Sequence, residues 1–166
     1  MIDILDNVLE DHVSELVSYE LQNIYWKYDY TSEPTKPNKH WHIFCAHTIG
    51  QLNNKYSWIL PIWLVAKDKY NLEDFERVYM NAHTHGIEPH LHIDDGDFTL
   101  IYYPNTFWKK EWGGGTYIDG QLVEYVGNRL VIFDASLPHK AMPISRECYE
   151  LRTCIVFKCF MDKSDV

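Results

Sequence analysis

The 166-residue sequence lacks paired cysteines, long apolar runs and an excess of positive charge. None of its four cysteines belongs to a Cys-x-x-Cys pair, and we interpret them as small buried side chains in a reducing compartment. The longest apolar stretch, 58–66, contains Pro61 and is too short to span a bilayer. No basic segment followed by an apolar run marks a signal peptide near Met1. We therefore expect a cytoplasmic protein without a membrane partner.

The charge balance is acidic, with 15 Lys and Arg residues against 24 Asp and Glu residues. A protein that binds nucleic acid generally carries a basic face, so we expect no nucleic-acid partner. The balance leaves a peptide, a protein or a small molecule as the candidate substrate. Within those classes the net charge of −9 only favours basic partners through long-range attraction.

Aromatic residues are abundant, with 12 Tyr and 6 Trp, and they predict a packed, β-rich core. We predict a single domain over 1–166, with a supporting part at 1–74 made of helices and a strand, and a β core at 75–162. Apolar residues at helical spacing between Leu9 and Leu21 predict a first helix. A strand at 24–30, a loop at 31–39 and a helix at 56–70 should follow. The strands expected in the core are 75–82, 89–94, 98–103, 115–118, 129–133 and 151–160.

One pair of residues offers metal ligands. His92 and Asp94 are two positions apart, so in an extended segment their side chains point to the same face. Together with the distant His139 they would form a set of two histidines and one carboxylate, which is typical of non-haem Fe(II) sites. The alternation leaves His90 as a competing ligand, because His90 and His92 could pair as they do in cupins. Asp95 is a further carboxylate nearby, but the spacing favours Asp94.

A buried cation is predicted near these ligands. Arg152 begins an otherwise apolar strand, where a guanidinium is costly unless it meets an anion, and its planar fork suits a carboxylate. Tyr103 could share that anion, and Thr99 lies on the same face of its strand. Arg146 competes with Arg152 for this role but falls in a predicted turn. Lys158 shares the face of Arg152 and could touch a substrate.

Several short motifs in this order resemble the Fe(II)/2-oxoglutarate-dependent dioxygenases, in particular their prolyl 4-hydroxylase-like branch. The resemblance runs with gaps from His92 to Phe160, which is somewhat under half of the chain. It rests on the following segments: His92-Ile-Asp94, Thr99-Leu-Ile-Tyr-Tyr-Pro-Asn105 with Trp108, Glu111-Trp-Gly-Gly-Gly115, Asn128-Arg-Leu-Val-Ile-Phe133, Pro138-His139 and Arg152-Thr-Cys154. The interval from His139 to Arg152 is longer than is usual in that family.

The resemblance implies a double-stranded β-helix, or jelly roll, with N-terminal helices packed on one sheet. It implies an oxygenase that binds Fe(II) at His92, Asp94 and His139 and uses 2-oxoglutarate and O2. Such an enzyme hydroxylates a C–H bond and releases succinate and CO2. Arg152 would hold the distal carboxylate of 2-oxoglutarate, with Tyr103 and Thr99 beside it.

His90 and Lys158 are the substrate-facing candidates, and a peptide, a protein or a free amino acid would be hydroxylated in the manner of a prolyl hydroxylase. His83 and His85 are interpreted as loop residues beside the site. Two alternatives stay open: a cupin-like metal protein that uses His90, and a jelly-roll binding module without catalysis.

Overall fold

The structure, a computed structural model, describes residues 1–161. The chain is mainly β, with antiparallel sheets and three α-helices in the described residues, in agreement with the coarse prediction. The predicted end of the core at position 162 lies outside the described residues. No helix within residues 1–161 combines the length and the apolarity that crossing a bilayer requires.

Of the described elements, the three α-helices and three strands lie before residue 72, and the remaining seven strands follow from residue 72 onward. The strands are β1 (Ile2–Asp6), β2 (Lys27–Tyr30), β3 (His40–Ala46), β4 (Leu72–His83), β5 (Phe98–Tyr103), β6 (Thr116–Ile118), β7 (Gln121–Val123), β8 (Arg129–Asp134), β9 (His139–Ala141) and β10 (Arg152–Met161). The helices are α1 (Asp11–Asn23), α2 (Ile49–Tyr56) and α3 (Leu60–Tyr70).

The larger sheet has seven antiparallel strands in the order β1-β8-β5-β10-β4-β3-β2. Alternation along β10 gives the sheet two different faces. Ile155 and Phe157 point to a core that also contains buried residues of all three helices. Arg152 and Lys158 are both buried, and they line a cavity on the other face. The sheet therefore separates an apolar, helix-covered core from a polar cavity.

The three helices pack on one face of the larger sheet and exclude water from it. In α1 the buried residues Ser14, Val17 and Leu21 recur at intervals of three and four, which places them on one stripe. Helix α2 begins after Thr48, whose hydroxyl accepts a hydrogen bond from Gln51 N at 3.2 Å. In α3 the fully buried Trp63 packs on the sheet.

The smaller sheet has three strands in the order β7-β6-β9 and faces the cavity side of the larger sheet. Ile118 and Val123 of this sheet are buried together with Val131 and Val156 of the larger one. The segment 84–97, which joins β4 to β5, carries two of the predicted metal ligands to the cavity that lies between the two sheets.

Some predicted elements differ from the observed ones. The strand expected at 89–94 is not formed, and His92 makes only an isolated bridge with His139. The strand expected at 24–30 is shortened to Lys27–Tyr30. The helix expected at 56–70 corresponds to α3 preceded by a 3₁₀ turn at Ser57–Ile59, with Pro61 in the first turn of α3, where its missing N–H needs no partner.

Candidate metal centre and adjoining cavity

His92, Asp94 and His139 meet in the wall of the cavity. Backbone hydrogen bonds hold the two histidines opposite one another, with His92 N donating to His139 O at 3.0 Å and His139 N donating to His92 O at 2.9 Å. Asp94 N donates to Ala135 O at 2.9 Å, which fixes the carboxylate beside them. The bridge thus replaces the predicted strand and still directs both side chains to one face.

The ring nitrogens of the two histidines are arranged for metal binding. The Nδ1 atoms lie 2.8 Å from His90 O and 2.9 Å from Leu137 O, and a carbonyl oxygen only accepts, so each Nδ1 carries the proton. The Nε2 atoms then present lone pairs, 3.7 Å from Asp94 Oδ1 for His92 and 3.1 Å from Asp94 Oδ2 for His139. Burial lowers the pKa of His92 to about 4 and also lowers that of His139.

These residues fit a metal ion. Their ligand atoms all lie within 4.8 Å of one another, and both imidazoles are neutral at pH 7. Backbone carbonyls orient the two rings, as partners of metal-bound histidines commonly do. Two imidazole nitrogens and one carboxylate oxygen on one side of an ion leave further coordination positions for other ligands.

Asp94 has two protein partners besides the histidines. The Thr99 hydroxyl donates to Asp94 Oδ2 at 2.7 Å, and the Lys158 ammonium forms an ion pair with the same oxygen. Lys158 Nζ also lies 3.4 Å from Thr99 Oγ1. Burial, followed by the nearby Arg77, lowers the pKa of Lys158 well below its ordinary value. The ion pair with Asp94 is the contact that favours the charged ammonium.

Arg152 lies deep in the same cavity, with a relative exposure of 1%. Its Nε donates to Gly114 O at 2.5 Å, and its Nη1 lies 3.2 Å from Nδ1 of His83. The guanidinium carbon stands 5.8 Å from the ring centroid of Tyr103 and 5.3 Å from that of Tyr125. No salt bridge within residues 1–161 involves Arg152, so its charge meets neutral groups only.

Two residues assigned to the co-substrate have different surroundings. Tyr103 is fully buried under Arg152, and its hydroxyl donates to Thr116 Oγ1 at 2.6 Å. Burial raises the pKa of Tyr103 to about 12, so the phenol stays protonated. Thr99 contacts the metal ligand Asp94 and lies opposite Lys158, not Arg152, in the strand register. The roles of both residues stay predictions.

The competing candidates lie elsewhere. Arg146 is exposed and does not belong to the cavity wall, in contrast to Arg152. The imidazole of His90 is also absent from that wall, because residue 90 precedes the bridge and its carbonyl, not its ring, supports His92. His90 therefore contributes no ring nitrogen to the described group of ligands, which counts against the cupin-like set.

The two histidines assigned to a loop separate in the structure. His83 is the last residue of β4, buried, and lies opposite Arg152 in the strand register. The expected loop position was therefore wrong for His83, because β4 extends one residue beyond the predicted strand. His85 is exposed in the following turn, where its Nδ1 lies 3.3 Å from Ile144 O. The alternation Arg77, Tyr79, Asn81, His83 was the signal that could have identified His83.

Comparisons with known proteins give matches among solved structures. No family model matches the sequence, and no curated protein matches it. A Pseudomonas putida prolyl-4-hydroxylase is 17% identical and covers 97% of this chain and 92% of its own, with a TM-score of 0.67. A Burkholderia pseudomallei oxidoreductase of the 2OG-Fe(II) oxygenase family is 9% identical, covering 94% and 83%, with a TM-score of 0.69.

A third match is HygX from Streptomyces hygroscopicus, solved with nickel, 2-oxoglutarate and hygromycin B bound. It is 10% identical, covers 94% of this chain and 81% of its own, and has a TM-score of 0.66. Identities this low establish shared architecture and not shared chemistry. The resemblance predicted from the sequence motifs is confirmed at that level: the chain has the fold of prolyl-4-hydroxylases and other 2OG-Fe(II) oxygenases.

Proposed function

We propose that the protein is an Fe(II)- and 2-oxoglutarate-dependent oxygenase that hydroxylates a C–H bond. The observation that carries the proposal is the presence of two complementary features in one cavity. Three ligand atoms converge on a single metal position. Arg152, buried in the same cavity, has no carboxylate partner within residues 1–161. A dianion that chelates the metal at one end and pairs with Arg152 at the other would satisfy both features.

Each residue has a defined part in this proposal. His92, Asp94 and His139 would hold Fe(II). Fe(II), when bound, would supply the redox chemistry by which O2 oxidises 2-oxoglutarate to succinate and CO2 and hydroxylates the substrate. Arg152 would bind the distal carboxylate in a bidentate manner, and Gly114 O and His83 would keep its guanidinium in that orientation.

The cavity wall would protect the reaction from water. Ile101 and Val156 line the space between the metal ligands and Arg152, and both are buried. Water excluded from this space cannot screen the pairing of Arg152 with an anion. Tyr103, protonated and buried below the guanidinium, would donate to Thr116 or to the bound carboxylate.

The substrate and the location of the protein belong to the proposal as well. Hydroxylation in the manner of a prolyl hydroxylase is supported by the likeness to the Pseudomonas putida enzyme. HygX, whose structure contains hygromycin B, supports a small-molecule substrate equally. A peptide, a protein or a free amino acid all stay within the proposed range, and we propose a cytoplasmic enzyme.

Anaerobic titration tests the function. Fe(II) added to the metal-free protein with 2-oxoglutarate should produce a visible charge-transfer absorption band, because the band requires both groups on one metal. Asp94→Ala should lose the band with loss of metal. Metal bound at the triad without a band in the wild-type protein would contradict the proposal and would favour a binding module or a cupin-like protein.

A further inference from the structure

A second pair of cations lies in the cavity, at the end opposite Arg152. Lys158 on β10 and Arg77 on β4 are direct partners in the antiparallel register, and both line the cavity. Like charges directly opposite one another in a sheet repel. The repulsion is aggravated here because Lys158 has a relative exposure of 1%.

The carboxylates in contact with this pair do not neutralise it well. Asp94 pairs with Lys158 but is the carboxylate of the metal site. Arg77 contacts Asp95 at 3.4 Å and Glu76 at 3.6 Å, and the Asp95 side chain is 79% exposed. Pairs of that length and exposure contribute little. Once a divalent cation shares Asp94, the region contains more positive than negative charge.

The position of the pair separates it from the proposed co-substrate. Arg152 and Lys158 are six residues apart on β10, so their backbone positions differ by roughly 20 Å. A five-carbon dicarboxylate anchored at Arg152 would extend toward Lys158 only as far as the metal position beside Asp94. The Lys158 end of the cavity is therefore available for the molecule that is hydroxylated.

We propose that this molecule is a small carboxylic acid whose carboxylate binds between Lys158 and Arg77. The inference rests on the proposed function and specifies its substrate class. The Lys158 ammonium has three donors, of which Asp94 and Thr99 occupy two. The third donor would bind the substrate carboxylate, with the partly exposed Arg77 guanidinium pairing with it from the mouth of the cavity.

The depth of Lys158 also limits the size of the substrate. Its ammonium touches a metal ligand, so a carboxylate bound there lies close to the metal position. The reacting carbon must then be within a few bonds of the carboxylate. Free amino acids and related short acids meet this requirement, whereas an internal peptide residue meets it only where its own side chain is a carboxylate.

Paired ligands test the inference in the anaerobic protein loaded with Fe(II) and 2-oxoglutarate. A panel of free amino acids and short carboxylic acids is compared with the corresponding primary amides, through the shift of the absorption band and through calorimetry. At least one acid should bind on the order of tenfold more tightly than its amide, because a charge-assisted hydrogen bond is lost in the amide.

Two variants test whether Lys158 and Arg77 cause the preference for the acid over the amide. Lys158→Met removes the charge and keeps the side-chain volume. Arg77→Met changes a partly exposed residue, so it remains informative if Lys158→Met fails to fold. Both should remove the preference for acid over amide. In Arg77→Met, which has no contact with the metal ligands, 2-oxoglutarate affinity should change less than about twofold. Lys110→Met is the matched control, since Lys110 pairs with Glu124 outside the cavity wall.

The possible outcomes separate a failure of this inference from a failure of the proposed function on which it rests. Failure of the wild-type protein to form the absorption band contradicts the oxygenase itself. A normal band with no acid preferred over its amide overturns only the substrate class. Loss of 2-oxoglutarate binding in Lys158→Met, with metal retained, would assign Lys158 to the co-substrate and also overturn the inference.

Discussion

At the scale of the residue, Arg152 shows how burial and charge together indicate a ligand. The guanidinium has a relative exposure of 1% and meets a carbonyl, an imidazole, a thiol and aromatic rings. Its hydrogen bonds to the described residues involve only Nε and Nη1 of its five-donor fork, and its charge is uncompensated. A buried charge without a counter-ion costs several kcal/mol. An anionic ligand that remedies this would bind tightly and with a fixed orientation.

Replacement of Arg152 therefore has a specific expected result. Arg152→Met should weaken 2-oxoglutarate binding by about tenfold to a hundredfold, the loss expected for a charged hydrogen-bonded pair. Fe(II) affinity should change little, because the guanidinium does not touch the three ligands. Titration of the absorption band against 2-oxoglutarate measures the first quantity, and direct metal titration measures the second.

Arg146→Met is the control for that experiment, since Arg146 is exposed and outside the cavity wall. It should leave co-substrate affinity unchanged. A large loss in Arg146→Met with none in Arg152→Met would move the anion site away from Arg152 and contradict the assignment.

The sequence predicted the candidate site better than its surroundings. His92 and Asp94 could be identified because alternation along an extended segment puts them on one face. Arg152 could be identified because a charge on an apolar strand is costly unless it meets an anion. The contact between His83 and Arg152 joins residues 69 positions apart, and it depends on the register of two strands. Register across such a separation has no signature in the local pattern.

At the scale of the element, strands with a strong local pattern could be predicted, whereas strands that depend on a distant partner could not. The interval 98–103 was predicted as it occurs, because a continuous apolar run there ends at Pro104. Strands β1 and β3 were not predicted. Strand β1 is short and pairs with β8, more than a hundred residues away, so its extended conformation depends on a distant partner rather than on local propensity.

Trp63 is the largest fully buried side chain of helix α3 and packs on the larger sheet. The indole is fully buried, its centroid is 5.1 Å from Phe75 and 5.8 Å from Phe157, and its Nε1–H has no hydrogen-bond partner among the described residues. The stabilisation therefore comes from packing and apolar burial, while the unpaired N–H opposes it.

We expect Trp63→Ala to lower the free energy of unfolding by about 3–5 kcal/mol, since it leaves a large cavity between the helix and the sheet. Trp63→Phe should cost clearly less, because it retains an aromatic ring and removes the unpaired N–H. Urea denaturation followed by circular dichroism measures both. Equal losses in the two variants would show that the N–H has a partner and that volume does not dominate.

At the scale of the whole molecule, the sheet divides apolar burial from polar burial. The helix-covered face contains almost only apolar side chains, whereas buried histidines lie on or beside the opposite face. His40 and His83 pack edge to face at 4.9 Å, and both have an Nε2 without a hydrogen-bond partner among the described residues. Protonation of either ring would place an unpaired charge in a dry environment that already contains Arg152.

This arrangement makes the stability of the metal-free protein depend on pH. Burial, with His42 as a smaller cause, lowers the pKa of His40 to about 4. Burial, with Arg152 as a smaller cause, lowers the pKa of His83 well below its ordinary value. The unfolded chain takes up these protons near pH 6.5, but the folded protein does not. Stability should thus be fully present above pH 6.5 and fall as the pH decreases toward 4.

The expected slope is up to about 1.4 kcal/mol per pH unit for each of these histidines in that window. Urea denaturation of the metal-free protein at pH 7.5, 6, 5 and 4.5 measures it. His40→Phe removes one titrating group and keeps an aromatic ring in contact with His83, so its stability should decline less steeply than that of the wild-type protein. His12→Phe, a change on the exposed surface of α1, is the control and should leave the slope as it is. A His40→Phe profile parallel to that of the wild type would mean that His40 titrates normally in the folded state, and hence that water reaches it from the cavity.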